Sequence, residues 1–126
     1  MYRCHIHFYL IGRLQRAFEL IKEMSPMEHF THEFVESEEY EKSLADRADV
    51  ILADFRGEHI TLAVKTLIED NKGGSEIILL AKQEQITLLM EQGLCGDIKD
   101  IWTLPMSDGE IRYRFLKWQE TCKMRK

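Results

Sequence analysis

Asp54 is the side chain of this 126-residue chain that is best placed to do chemistry. It belongs to Asp49–Phe55 (DVILADF), an apolar segment that we predict to be a buried strand ended by an acid. In open α/β sheets, ligands bind outside the carboxyl ends of the strands, so residues after the other apolar runs are candidates for the same site. These residues are Ile11-Gly12-Arg13, Leu80-Ala81-Lys82 and Leu104-Pro105.

Three basic residues lie close to Asp54 in this scheme and could hold it in a permanent ion pair. They are Arg13, Arg56 and Lys82, each of which follows or adjoins a predicted strand end. Long basic side chains at loop positions usually point into solvent, and Asp54 would then only cap the following loop. The sequence leaves both readings open.

The histidines and cysteines do not predict a metal site. His5 and His7 are two residues apart and so face one side of the first strand, but they lie at its amino-terminal end, opposite the expected functional edge. His29 and His32 do not share a face of a strand. The three cysteines are Cys4, Cys95 and Cys122, which are widely separated and form no CxxC pair. This pattern fits free thiols in a reducing cytoplasm.

Composition excludes several classes of function. The chain carries 17 Lys and Arg against 22 Asp and Glu, a net charge of −5 that opposes binding to a nucleic-acid backbone. The longest apolar runs are far shorter than the ~20 residues that span a membrane, and no leader pattern opens the sequence. Nucleotide-binding and hydrolase motifs are absent. We therefore expect a cytoplasmic protein without a cofactor, a nucleic-acid partner or a membrane anchor.

Alternating apolar runs and helical periods predict the fold class. The predicted strands are Cys4–Ile11, His29–Glu36, Asp49–Phe55, Glu76–Ala81 and Ile101–Leu104. Helical segments separate them, which implies a mainly parallel sheet with right-handed crossovers. We expect one α/β domain over residues 1–126, a three-layer flavodoxin-like (βα)5 sandwich. Its strand order of 2-1-3-4-5 comes from fold analogy, because the sequence itself does not order the strands.

The ends of two predicted helices carry recognisable signals. Ser37 is a plausible N-cap for a short acidic helix anchored by Tyr40 and Leu44. Ser107-Asp108-Gly109-Glu110 matches the S-x-x-E capping box, and an apolar stripe follows it in the last helix: Ile111, Phe115 and Trp118. We expect Trp102 and Trp118 to be core or helix-interface residues. Because the last helix still looks viable at the end of the sequence, we expect the domain to be the N-terminal part of a larger protein.

Three segments of the sequence resemble the receiver domains of bacterial two-component signalling. ADVILADFRG is similar to the third receiver strand, IILLAK to the fourth, and TLPMS to the fifth strand with its following proline. The resemblance covers nearly the whole chain and implies that Asp54 occupies the phosphoacceptor position.

The departures from the receiver pattern concern the phosphorylation site. Receivers carry an acidic pair after the first strand that holds Mg²⁺, where this chain has Ile11-Gly12. They have a threonine or serine at the end of the fourth strand and a lysine before the proline, where this chain has Leu80 and Leu104. With one carboxylate left, the site is expected to bind Mg²⁺ poorly and to leave the charge of a transferring phosphoryl group uncompensated.

The resemblance and its departures predict a non-enzymatic pseudo-receiver that regulates or dimerises an attached output domain. A cyclic-dinucleotide cyclase or a histidine kinase is the expected output class by family habit. The expected homodimer surface runs from the fourth helix to the fifth helix, about residues 86–124. Two alternatives stay open: a phosphoaccepting receiver that uses Asp54 with altered ligands, and a small-molecule sensor at the carboxyl edge of the strands, lined by Ile11, Leu80 and Leu104.

Overall fold

The computed structural model describes residues 4–12, 16–24, 26, 30–55, 59–71 and 74–124. Strands and helices alternate along the chain. The strands are β1 (Cys4–Ile11), β2 (Phe30–Ser37), β3 (Val50–Ala53), β4 (Glu76–Lys82) and β5 (Asp100–Leu104). The helices are α1 (Arg16–Glu23), α2 (Lys42–Ala45), α3 (Ile60–Asp70), α4 (Gln83–Glu91) and α5 (Asp108–Met124).

The strands form one parallel sheet in the order β2-β1-β3-β4-β5. This confirms the predicted α/β class and the strand order taken from fold analogy. β2 is an edge strand, and its apolar and polar residues alternate so that one of its faces is wetter than the other. β3 is buried throughout, as expected for an inner strand covered by helices on both sides.

Two apolar layers hold the helices against the sheet. One joins alternate sheet residues to α1 and α5, and it includes Phe8, Leu52 and Trp102. The other joins the intervening sheet residues to α2, α3 and α4, and it includes Tyr9 and Ile51. Successive residues of a strand face opposite sides, so the nearly continuous apolar runs of β1, β3 and β4 fill both layers.

The predicted start of α5 and the apolar stripe of that helix are confirmed. The backbone N–H of Glu110 donates to Ser107 Oγ at 3.2 Å, which is the serine half of the capping box. Ile111, Phe115 and Trp118 are buried against the sheet. These three positions recur at helical spacing, so they face the same side of α5.

The predicted start of the second helix is wrong. Ser37 is the last residue of β2, and α2 begins only at Lys42. The Ser37 hydroxyl donates to the carbonyl oxygen of Glu39 at 2.6 Å and lies 2.5 Å from the Tyr9 hydroxyl. A serine next to acidic residues caps either a helix or a turn, and here the buried Tyr9 hydroxyl favours the turn. As a result, α2 is a single turn and covers little of the sheet.

Candidate functional site

Asp54 is the first residue after β3 and is buried, with a relative exposure of 6%. Its backbone N–H donates to the carbonyl oxygen of Ile11 at 2.8 Å. The hydrogen bonding between β1 and β3 thus continues up to Asp54, which places this residue at the carboxyl edge of the sheet, between two inner strands. The position is the one expected from the sequence.

Gly12 packs directly against Asp54. Its φ is +144°, and its N–H donates to the carbonyl oxygen of Ser37 at 3.0 Å. A Cβ atom at this position would lie 3.2 Å from Asp54 Cβ and 3.3 Å from Asp54 O. Residues other than glycine rarely adopt such a φ. Conformation and space therefore both oppose a side chain here, where receivers have part of their acidic pair.

The other two departures from the receiver pattern also fall at this edge. Ala53 pairs with Leu79, so the next residue of β4, Leu80, lies level with Asp54 in the strand register. Leu80 is fully buried, and Leu104 is partly buried against the same layer of core. Neither side chain carries a hydroxyl or an amine that could contact a phosphoryl group. The Leu104-Pro105 peptide bond is cis.

The proposed cationic partners of Asp54 divide into two groups. Arg13 and Arg56 lie outside the residues that the structure describes. Lys82 is described: it ends β4 with an exposed side chain, and its backbone N–H donates to Gln85 Oε1 at 2.9 Å. The ion pair of Asp54 with one of these residues stays a prediction.

Gln85 is a residue near this edge that the sequence did not single out. Its Oε1 accepts a hydrogen bond from the backbone of Lys82, and its Nε2 lies 3.5 Å from the carbonyl oxygen of Phe55. One side chain therefore connects the segment after Asp54 to the start of α4. Glutamine has no sequence signature for such a role, because the connection depends on the pairing of β3 with β4.

A second group of polar side chains lies at the opposite end of β1. His5 and His7 share a face of β1, as predicted, and the strand register places Glu33 of β2 opposite His7. Glu33 Oε1 is 3.5 Å from His5 Nε2, and Glu33 Oε2 is 3.3 Å from His7 Nδ1. The register of β1 with β2 is what brings Glu33 to the two histidines.

His32 lies on the other face of β2, among aromatic rings. The ring centroids of Phe8 and Phe34 are 5.0 Å and 5.8 Å from that of His32, and that of Phe115 is 5.7 Å away. Among the described residues, neither ring nitrogen of His32 has a hydrogen-bond partner. Burial, with a smaller contribution from His5, lowers the pKa of His32 below its ordinary value. His29 lies outside the described residues.

The two tryptophans are core residues, as predicted. Trp102 is fully buried, and its Nε1 donates to Asp100 Oδ2 at 3.0 Å. Trp118 Nε1 donates to Glu76 Oε2 at 3.1 Å. Each indole thus buries its ring and satisfies its N–H with a carboxylate at the edge of the core. Cys95 is a free, half-buried thiol.

Among the described residues, no helix has both the length and the apolar character needed to cross a membrane.

Solved structures with the same architecture come from bacterial signalling and assembly proteins. The signal receiver domain of an HD domain-containing protein from Pseudomonas fluorescens has a TM-score of 0.56 and 18% identity, with 100% of this chain and 96% of that chain covered. The ChxR receiver domain from Chlamydia trachomatis has a TM-score of 0.50 and 16% identity, with 91% and 98% covered. The pilus assembly protein CpaE from Caulobacter crescentus has a TM-score of 0.58 and 12% identity, with 90% and 98% covered.

At 12–18% identity, these solved structures show that the chain shares their fold. No protein-family model matches the sequence, and no curated protein matches it. The strand order, the helices on both faces and the near-complete coverage of two receiver domains agree with the resemblance read from the strand-end residues. The chain has the receiver-domain fold.

Proposed function

We propose that this chain is a pseudo-receiver: a non-catalytic signalling module that acts through protein contacts and regulates or dimerises an attached output domain. The observation that carries the proposal is what lies beside Asp54 at two positions of the receiver phosphorylation site. Gly12 packs against it without room for a side chain, and Leu80, level with it in the sheet, is fully buried. A cyclic-dinucleotide cyclase or a histidine kinase remains the proposed class of output.

Mg²⁺ needs near-octahedral oxygen ligands and usually takes one or two protein carboxylates together with phosphate oxygens and water. Phosphoryl transfer depends almost wholly on positioning and on compensating the charge of the transferring group. At this edge the positions of the second carboxylate, the hydroxyl and the lysine are occupied by Gly12, Leu80 and Leu104. Phosphorylation of Asp54 would therefore lack the groups that make it fast.

Incubation with acetyl phosphate and Mg²⁺ tests this proposal. We expect no 80-Da increase in intact mass, and no change in backbone amide spectra on adding beryllium fluoride with Mg²⁺. Asp54→Asn is the matched variant, because it keeps the shape of the side chain and removes its charge. A mass increase in the natural protein that disappears in Asp54→Asn would contradict the proposal and support the phosphoaccepting alternative.

The small-molecule alternative is less well supported. Of the three residues proposed to line that site, Ile11 and Leu80 are fully buried within the two core layers. Side chains already packed in a core leave no lining for a ligand.

The proposed dimer surface consists of α4, β5 and α5. β5 is an edge strand, with α4 packed on one face of it and α5 on the other. Both helices expose large apolar side chains, of which Met90 on α4 is 65% exposed and Tyr113 on α5 is 60% exposed. Exposed apolar groups beside an open strand edge favour association with another protein surface.

Sedimentation of the chain over a wide concentration range tests the dimer. We expect reversible association that weakens when Tyr113 is replaced by glutamate. The control is Leu62→Glu, which places the same charge on α3 at a side chain that is 64% exposed. A monomer at every concentration, or equal weakening by both variants, would count against this surface.

A further inference from the structure

His5, His7 and Glu33 bring three metal-binding groups together on one face of the sheet. The nitrogen or oxygen atoms that they offer all lie within 4.8 Å of one another. The carboxylate oxygens of Glu33 lie 3.5 Å from His5 Nε2 and 3.3 Å from His7 Nδ1. Around a tetrahedral Zn²⁺ with bonds of about 2.0–2.1 Å, neighbouring ligand atoms are roughly 3.3–3.4 Å apart. The two Glu33–histidine separations are close to that value.

The rings are arranged to converge instead of stacking. The centroids of His5 and His7 are 4.6 Å apart, and the ring planes are nearly perpendicular at 84°. His5 Nδ1 lies 2.5 Å from the hydroxyl of Thr31, which is opposite His5 in the strand register. With Nδ1–H as the donor to Thr31, Nε2 is the nitrogen left to bind an ion, and it lies on the side of Glu33. Metal-binding histidines commonly use their second nitrogen in this way, because the hydrogen bond fixes the ring.

The side chains of His5, His7 and Glu33 are open to solvent. Farther along the same face of β1, Tyr9 and Ile11 are buried under the helices. At the amino-terminal end of this face, the side chains of His5, His7 and Glu33 are 48%, 44% and 55% exposed. A groove of about 450 Å³ runs from His7 and Glu33 toward Leu44 and Arg47. A bound ion would keep a coordination position open to this groove.

We propose that His5, His7 and Glu33 form a binding site for a divalent transition-metal ion, with Zn²⁺ as the reference ion and water in the open position. Two imidazoles and a carboxylate are one of the ligand sets found in open zinc sites. Imidazole ligands favour Zn²⁺, Cu²⁺ and Ni²⁺, whereas Mg²⁺ prefers oxygen ligands and keeps much of its water. This site lies at the opposite end of β1 from Asp54 and is independent of the proposed signalling role.

The alternative is an ion pair between Glu33 and protonated histidines that binds no metal. Titration of the full chain with zinc chloride, followed by calorimetry and by backbone amide spectra, separates the two. We expect one Zn²⁺ per chain, shift changes centred on the amino-terminal halves of β1 and β2, and no comparable response to Mg²⁺. Cobalt(II) absorption identifies the ligand types, because a thiolate charge-transfer band would place the ion on a cysteine and overturn the proposal.

Variants at the site decide the assignment. Glu33→Gln and His7→Ala should each weaken Zn²⁺ binding by at least about tenfold, since each removes a direct ligand, and Thr31→Val by a smaller factor. His59→Ala is the control, because His59 is exposed at the start of α3, away from the site. Surface substitutions of this kind leave the fold intact, which far-ultraviolet circular dichroism verifies. Unchanged Zn²⁺ affinity in Glu33→Gln and His7→Ala, or an equal loss in His59→Ala, would overturn the proposal.

Discussion

Replacing Gly12 by alanine should destabilise the protein substantially, because two effects act at the same atom. The backbone at Gly12 has a φ of +144°, and holding a residue with a side chain in such a region costs about 1–3 kcal/mol. The new Cβ would lie 3.2 Å from Asp54 Cβ and 3.3 Å from Asp54 O, closer than the ~3.5–4.0 Å of an ordinary carbon contact. Overpacking of this kind costs about 1–3 kcal/mol.

The net effect is smaller than the sum of these terms. Alanine also restricts the unfolded chain, which stabilises the protein by about 0.4–1 kcal/mol, and a single backbone shift relieves part of both strains. We expect the free energy of unfolding to fall by roughly 2–4 kcal/mol. At about 4 °C for each kcal/mol, the melting temperature should fall by roughly 10 °C.

Urea denaturation followed by the fluorescence of Trp102 and Trp118 measures this change. The transition should move to lower urea with an unchanged slope, which marks a loss of stability without a change in the surface exposed on unfolding. Gly96→Ala is the matched control, because a Cβ there meets nothing within 4 Å. If Gly12→Ala and Gly96→Ala shift the transition equally, the close packing of Gly12 on Asp54 does not exist in solution.

Three further changes test the core, the last helix and the pH response by the same urea measurement. Leu80→Ala should lower the free energy of unfolding by about 2–5 kcal/mol, because Leu80 is fully buried. Leu62→Ala, at an exposed position, should change it by less than about 0.5 kcal/mol, and equal changes in the two variants would refute the burial of Leu80. Ser107→Ala should cost about 1 kcal/mol through loss of the N-cap, and an unchanged stability would show that the hydrogen bond to Glu110 is not formed. Burial lowers the pKa of His32 in the folded protein, so the unfolded chain binds a proton at this side chain more readily. The free energy of unfolding should therefore begin to fall as the pH drops below about 6.5, and should continue to fall until the pH passes the lower pKa of the folded state. His32→Phe should reduce that dependence, and an equal dependence in both proteins would contradict the assignment.

The apolar runs and the helix signals were sufficient for most of the fold. The bounds of β1 agree with its apolar run, and those of β4 and β5 differ from the prediction by one residue. Long apolar runs and the capping box are local signals, so they need no knowledge of distant parts of the chain. The predicted start of α2 was wrong because Ser37 forms a hydrogen bond with Tyr9, which is 28 residues away in the sequence.

At the two ends of the sheet, the residue types follow from the sequence, whereas their contacts follow from the tertiary structure. The sequence by itself determined which groups are present at the carboxyl edge: one aspartate, a glycine and two leucines, because residue types do not depend on packing. Only the tertiary structure showed that there is no room for a side chain at Gly12 beside Asp54 and that Leu80 is fully buried. Only the register of β1 with β2 brought Glu33 to His5 and His7, since parallel pairing is set by the packing of the whole sheet and cannot be read from either strand alone.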